Sequence, residues 1–285
     1  MKIPMRRSLP LLLLALCAAS CKSADPAQPL RVSMIPTTDP GKATREMQPL
    51  VDHLARSTGG EVQMTIPTNY AAVVEALVND QVDIAHLGGF TYVQASKRAG
   101  VKPLVQRERD REFHSLFITQ AGSPIRSLAD LKKRSFAFGD VNSTSGHLMP
   151  EYFMRRNGVD REVIAKAIYT GGHDATLLAV ANGKVDAGAL DEAVFQRMTS
   201  QGKIDPAKVR VFWTTPPFFD YVWVARKGLD ARKADAVRDS FLALDRADPQ
   251  RRAILEALSA SKYVPARDAD YAALREAALE AGLLK

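Results

Sequence analysis

Apolar and polar positions change period along this chain in a regular order. Leu30 to Ile35 alternates, the period-2 mark of a half-buried strand. Pro36 to Lys42 is rich in turn formers. Thr44 to Ser57 then carries Met47, Leu50, Val51 and Leu54 at helical spacing, ended by Gly59-Gly60. A strand is predicted over Val62 to Ile66, and Asn69 can cap a helix from Tyr70 to Asn79. Val82 to Leu87 reads as a strand. Gly88-Gly89 leads into a helix over Thr91 to Arg98, and strands follow at Lys102 to Gln106 and Ser115 to Gln120. Strands alternating with helices predict an α/β lobe with a largely parallel sheet.

The second half repeats the scheme. Ser127 to Leu131 is a short helical turn, and Ser135 to Phe138 a buried strand. A helix runs from about Pro150 to Arg156. Val163 to Tyr169 is a strand, and Gly171-Gly172-His173 opens a helix to Asn182. Strand Val185 to Leu190, helix Ala193 to Thr199 and strand Val209 to Thr214 follow. Pro216-Pro217 turns the chain into strand Tyr221 to Ala225, and about Arg232 to Lys285 reads as helical. Residues 70–83 align without gaps on residues 173–186, each a helix feeding a strand. Two similar lobes are therefore expected, with Tyr70 and His173 at matching helix N-termini. Ligands of open α/β sheets bind outside the carboxyl ends of strands, so two facing lobes would form a cleft there.

Gly139-Asp140-Val141-Asn142-Ser143-Thr144-Ser145-Gly146-His147 lies where a strand turns into a helix. The first N–H groups of a helix lack partners and carry partial positive charge, and hydroxyls beside them can complete an anion cradle. A plain Ser/Thr cap accounts for the same residues. Pro150 fits either the first helical position or a break after one irregular turn.

Composition narrows the compartment. The chain has 285 residues, 46% hydrophobic and 25% charged, as soluble domains do. Lys2, Arg6 and Arg7 precede an apolar run from Leu9 to Ala19, the order of a secretory signal and too short to span a bilayer. Ala18-Ala19-Ser20-Cys21 is similar to a bacterial lipoprotein cleavage box, with Cys21 as the lipidated first residue and Ala18 where leucine is usual. Ordinary cleavage near Ser20 is the alternative. Residues 1–20 hold three cationic and no anionic side chains, so their removal takes the formal charge from +7 to +4. Residues 21–28 would be a lipidated tether. Cys17 goes with the leader, which leaves an exported chain without a disulfide. Basic runs interleaved with aromatics are absent, which argues against nucleic acid.

The residues now quoted resemble the type II periplasmic solute-binding proteins, specifically the phosphate/phosphite/phosphonate-binding family of ABC importers. The resemblance rests on Asn69-Tyr70 with the helix that follows, Leu87-Gly88-Gly89-Phe90-Thr91-Tyr92, Ser143-Thr144-Ser145-Gly146, Gly172-His173-Asp174-Ala175 and Pro216-Pro217-Phe218-Phe219-Asp220. It covers residue 29 to the C-terminus. Residues 87–91, 143–150, 183–190 and 214–217 resemble further a subgroup described as selenate importers.

The resemblance implies lobe I over 29–118, lobe II over 119–220, a return to lobe I over 221–285, and two crossing strands near 115–120 and 221–225. It implies each lobe's sheet is mixed and mostly parallel. It places a small tetrahedral oxyanion against Tyr70 and the turn of Gly89, Phe90, Thr91 and Tyr92 from lobe I. From lobe II the anion would meet Ser143, Thr144, Ser145, His173 and Asp220. Permease and ATPase subunits would be the partners, the protein a periplasmic monomer held to the membrane only by lipid, with no cofactor or metal.

Neutral donors suit such an anion because they avoid burying a bare cation. A buried Asp220 would repel a dianion but accept a hydrogen bond from a P–OH, available to phosphate-type anions with a second pKa near 6. Aminophosphonate binders of the family carry an acid about twenty residues after the site histidine. Here that position is near Ala193, with Asp191 and Glu192 adjacent, which argues for a small ligand lacking an amine. Phe90 and Phe218-Phe219 would suit a tight pocket or ordinary core. Ser143, Ser145 and His147 raise a hydrolase as rival, but no Gly-x-Ser-x-Gly elbow or Walker A loop is present. The histidines at 53, 86, 114, 147 and 173 form no close-spaced metal pair. A sensor lobe is a third reading.

Overall fold

β1 (Leu30–Met34) pairs in parallel with β2 (Val62–Thr65) on one side and β3 (Ile84–Leu87) on the other. This parallel trio begins a six-stranded sheet in the computed structural model, which describes residues 28–284. The leader, Cys21 and the tether up to residue 27 lie outside the described residues. β10 (Val222–Ala225) runs antiparallel between β3 and β4 (Lys102–Arg107), and β11 (Tyr263–Pro265) closes the β4 edge. The second sheet repeats the mixture. β6 (Ser135–Phe138) is parallel to β7 (Lys166–Tyr169) and β8 (Ala187–Asp191), while β5 (Ser115–Gln120) is antiparallel to β8 and β9 (Val209–Thr214). Each sheet is thus parallel only in its βαβ part, because the crossing connections return strands of opposite direction. Most strands still run one way, β1 to β4 in the first sheet and β6 to β9 in the second, as expected for mixed, mostly parallel sheets.

The internal repeat has a structural counterpart. α3 (Tyr70–Val78) and α6 (His173–Ala181) are displaced by 103 residues at both ends, and each feeds an inner strand, β3 or β8. Both strands are buried along their whole length, as expected for strands covered on two faces. Asn69 caps α3 by accepting the Ala72 N–H at 2.9 Å; Gly172 precedes α6 without a side-chain cap.

The lobes are joined by residues 108–114 and 215–221, which pair across the hinge. Phe113 and Phe218 form an antiparallel bridge, and the Asp220 N–H donates to the Asp110 carbonyl at 3.0 Å. The crossing expected near 115–120 and 221–225 falls earlier on both strands, since β5 lies wholly in the second sheet and β10 in the first.

Two elements escape the sequence pattern. α1 (Pro40–Glu46) occupies part of the loop expected over 36–42: Asp39 caps it at 2.7 Å from the Lys42 N–H, and Pro40 takes its first position. The stretch from about Arg232 onward is not wholly helical: β11 interrupts α8 (Ala231–Leu242), α9 (Pro249–Ala257) and α10 (Ala272–Glu280). α10 packs its Leu274, Ala277 and Ala278 into the lobe I core. Met149, Tyr152 and Phe153 of lobe II helix α5 (Met149–Arg156) join the same apolar cluster. No described helix is long and apolar enough to cross a membrane.

Candidate functional site

The helix after β3 starts at Gly89, two residues earlier than its hydrophobic spacing suggests. Gly88 takes the capping position of α4 (Gly89–Ala99). A Cβ on Gly89 would fall 2.3 Å from Leu274 Cδ1 and 3.1 Å from the Phe219 carbonyl, so only glycine lets the helix start here. Two orphan donors of the first turn thereby meet the hinge and lobe II. The Gly89 N–H donates to Asp220 Oδ1 at 3.1 Å, and the Phe90 N–H donates to Thr144 Oγ1 at 3.0 Å.

From lobe II the chain leaves β6 at Gly139 and enters a π-helical turn over Thr144–Leu148 before α5 begins. This is the irregular turn that Pro150 allowed. Ser143 caps it, its hydroxyl oxygen accepting the Gly146 N–H at 3.0 Å. Gly146 carries no Cβ because one would sit 3.0 Å from His173 Cε1 and 2.9 Å from Ser143 Oγ. His173 therefore packs directly on the loop. Its Nδ1 accepts the Asp191 N–H at 3.2 Å, which fixes the proton on Nε2 and makes that nitrogen a donor. Burial lowers the His173 pKa, so the ring is neutral.

Four buried polar atoms here have no hydrogen-bond partner in the protein: Tyr70 Oη, Ser145 Oγ, His173 Nε2 and Asp220 Oδ2. Each residue is about 1% exposed. Buried polar groups are almost always paired, so four orphans in one interlobe region mark where a polar guest fits. Burial pushes the Asp220 carboxyl up to about 7, against the Gly89 N–H and the Thr144 hydroxyl, with Asp110 and Asp191 adding to the rise. Burial, with Asp140, Asp191 and Asp220 adding to it, raises Tyr70 well above its ordinary value and keeps it a phenol donor.

Not every expected contact residue faces the cleft. Phe90 offers its N–H, but its ring is in the lobe I core. The Thr91 hydroxyl donates to the Gly88 carbonyl at 2.9 Å, and the Tyr92 hydroxyl donates to Asp268 at 2.6 Å. Their side chains are satisfied elsewhere. Phe218 packs on Phe113 and Phe219 on Tyr271, so they serve packing and the hinge. The Asp191 carboxylate is fully occupied: it accepts from the Ala193 and Val194 N–H groups and from the Tyr221 hydroxyl at 2.8 Å. Glu192 pairs with Arg109 at 3.4 Å. Neither acid is free for a ligand amine. His147 does not approach a serine hydroxyl; its ring nitrogens meet the Val141 carbonyl and Glu151, each at 2.7 Å. No cluster of three metal-ligating side chains occurs among the described residues.

Sequence reasoning missed the contacts that hold the lobes together. The Tyr70 N–H reaches Asp140 Oδ2 at 3.4 Å, Gln94 Nε2 donates to Asn142 Oδ1 at 3.0 Å, and the His173 N–H donates to the Thr37 carbonyl at 3.2 Å. With the Phe90–Thr144 bond they join lobe I to lobe II, so the structure is the closed form.

Two α/β lobes, a paired two-segment hinge and an interlobe site of unpaired donors define a two-lobed periplasmic binding protein. Residues 32–271 match the family described as ABC transporter, phosphonate, periplasmic substrate-binding protein. The chain belongs to that family, whose members are substrate-binding components of transporters rather than enzymes. It is 31% identical over 260 residues to a Prochlorococcus marinus (strain MIT 9301) protein named "Probable ABC transporter phosphite binding protein PhnD1", spanning 87% of this chain and 88% of that one. It is 26% identical to the phosphonates-binding periplasmic protein of Escherichia coli K12, over 88% of this chain and 76% of that protein. The structure of P. marinus PhnD1 in complex with methylphosphonate superposes with a TM-score of 0.85 at 29% identity, covering 90% of this chain and 98% of that one.

Proposed function

We propose that this protein captures a small, monoprotonated phosphorus oxyanion, phosphite or methylphosphonate in type, and delivers it to an ABC permease. One observation carries the reading: Asp220 Oδ2 is buried and unpartnered, and so are the Tyr70 hydroxyl, the Ser145 hydroxyl and His173 Nε2. Three of these atoms can donate to oxyanion oxygens, and Ser143, Thr144 and the α4 N-terminus add donors without a buried cation. The fourth accepts. A P–OH supplies the proton it needs; sulfate, fully ionised at neutral pH, has none. Occupied Asp191 and Glu192 support a guest without an amine, and the relative solved with methylphosphonate supports the class.

Selenate is the second reading, in line with the resemblance of residues 143–150 to the selenate-importer subgroup. It is favoured by the Asp220 carboxyl titrating near 7, since a protonated Asp220 would donate to a dianion instead of accepting. Calorimetric titration with phosphite, methylphosphonate, phosphate, selenate and sulfate separates the two. Heat with phosphite or methylphosphonate and none with selenate supports the first reading; binding of selenate alone overturns it.

The leader and Cys21 support a monomeric, lipid-anchored protein at the periplasmic membrane face, serving permease and ATPase subunits. Cys21→Ser should release it from membranes. Lobe I is taken as 29–118 with 221–285, and lobe II as 119–220, apart from the hinge offsets given above.

A further inference from the structure

His147 is singled out by the sequence and left unused by the site. It is 1% exposed, two residues past Ser145, on the π-helical turn that carries the anion-facing hydroxyls. Its ring is wedged against Phe138 and Tyr169, with centroids at 5.2 and 5.0 Å and near-perpendicular planes. Nδ1 lies 2.7 Å from the Val141 carbonyl, which can only accept. Nε2 lies 2.7 Å from Glu151 Oε2. A carbonyl on one side therefore demands N–H at Nδ1, and a 2.7 Å carboxylate contact demands a proton at Nε2.

The other charged groups agree with that assignment. Glu151 is held below its ordinary carboxylate range despite burial, by His147 first and then Arg161 and Arg155. Arg161 lies 3.4 Å from Glu151 and 3.5 Å from His147 Nε2, and Arg155 lies 3.9 Å from Glu151. The Tyr169 hydroxyl, 2.9 Å from Nε2, is the remaining titratable neighbour and bonds Arg161 as well. Glu151 thus faces His147 and two guanidinium groups, of which Arg155 also pairs with Asp160 at 3.7 Å.

We propose that His147 is a positioning residue for anion capture, a doubly donating imidazolium that ties the Val141 carbonyl at the start of the loop to Glu151 in the helix after it. The strap brackets residues 142–150, so it sets where the Ser143, Thr144 and Ser145 hydroxyls stand without touching the guest. This rests on the proposed role of that loop in ligand binding.

The test uses the full mature chain. Long-range ¹H–¹⁵N spectra of the ligand-free protein at pH 7 should give both His147 ring nitrogens protonated shifts, and Glu151→Gln should return the ring to one N–H. Methylphosphonate titrations of native protein and Glu151→Gln across pH 6 to 9 should show weaker binding by the variant, about tenfold at pH 6. The ratio should shrink as pH rises, in step with the disappearance of the second ring N–H from the native spectra. A neutral His147 at pH 7, or a ratio independent of pH, overturns the proposal. If methylphosphonate fails to bind native protein, the ligand reading fails. The ring spectra, with the loop amide shifts of Ser143 to Gly146 in Glu151→Gln, then decide the strap by themselves: unmoved loop shifts sink it.

Discussion

Gly89 and Asp220, 131 positions apart in sequence, are joined by one hydrogen bond of 3.1 Å that uses one carboxyl oxygen and leaves the other to the cleft. The bond links a helix N-terminus of lobe I to the segment that connects the lobes. It aims the free oxygen and lets a buried carboxyl exist without a cation beside it.

That burial has a pH signature. Burial in the closed form pushes the Asp220 carboxyl up to about 7 against an ordinary 3.8, so this folded form binds the proton more tightly. Between about pH 4 and pH 7 the unfolded chain has released a proton that the folded chain keeps, so stability falls as pH rises and the loss is complete above about 7. Asp220→Asn removes this dependence. The variant's excess melting temperature over native protein, measured without ligand, should grow from pH 4 to 7 and then level off.

Asp220→Asn should also change selectivity. Its amide can donate to a fully ionised oxygen where the native carboxylate repels it. Affinity for methylphosphonate should fall at least about tenfold at pH 7.5, while selenate and sulfate gain relative to it. Competition calorimetry with the three anions checks the order.

Tyr70→Phe and Ser145→Ala each delete a buried hydroxyl that lacks a protein partner. Without ligand, melting temperatures should stay level or rise, since no hydrogen bond is lost. Affinity should drop by about 10-fold for each, a net bond of roughly 1.5 kcal/mol. A variant that loses stability and affinity together would show that its hydroxyl is structural.

Gly89→Ala should cost about 1–3 kcal/mol, because the new methyl meets Leu274 and the Phe219 carbonyl in a filled core. Chemical denaturation of the ligand-free protein measures it. A loss under about 0.5 kcal/mol would mean that α10 moves aside easily.

Asn142→Ala removes the 3.0 Å bond to Gln94 across the cleft without touching the anion donors. Closed protein should reopen sooner, so dissociation should quicken by roughly several-fold with the association rate little changed. Stopped-flow displacement reads both rates.

Much of this was legible because the chain says it twice. The α3–β3 and α6–β8 units share one register, which located two helix N-termini and so Tyr70 and His173. β11 was illegible for the opposite reason. Its three residues, ending in Pro265, become a strand only by pairing with β4, some 160 positions earlier. α1 was hidden by Pro40-Gly41, which reads as a turn unless Asp39 is recognised as its cap. Thr91 and Tyr92 were misassigned because α4 starts at Gly89, leaving backbone donors at 89 and 90 to face the cleft. The His147–Glu151 pair was visible as an i,i+4 spacing, but its further partners come from β7 and the loop before the turn.

Asp220 belongs to neither rigid half; its N–H is bonded to Asp110 on the neighbouring connector. On the proposed function the guest would therefore be inspected at the fulcrum. A mismatch of charge there is levered outward to the rims, where the displacement is largest, and the transporter can judge cargo from outline alone.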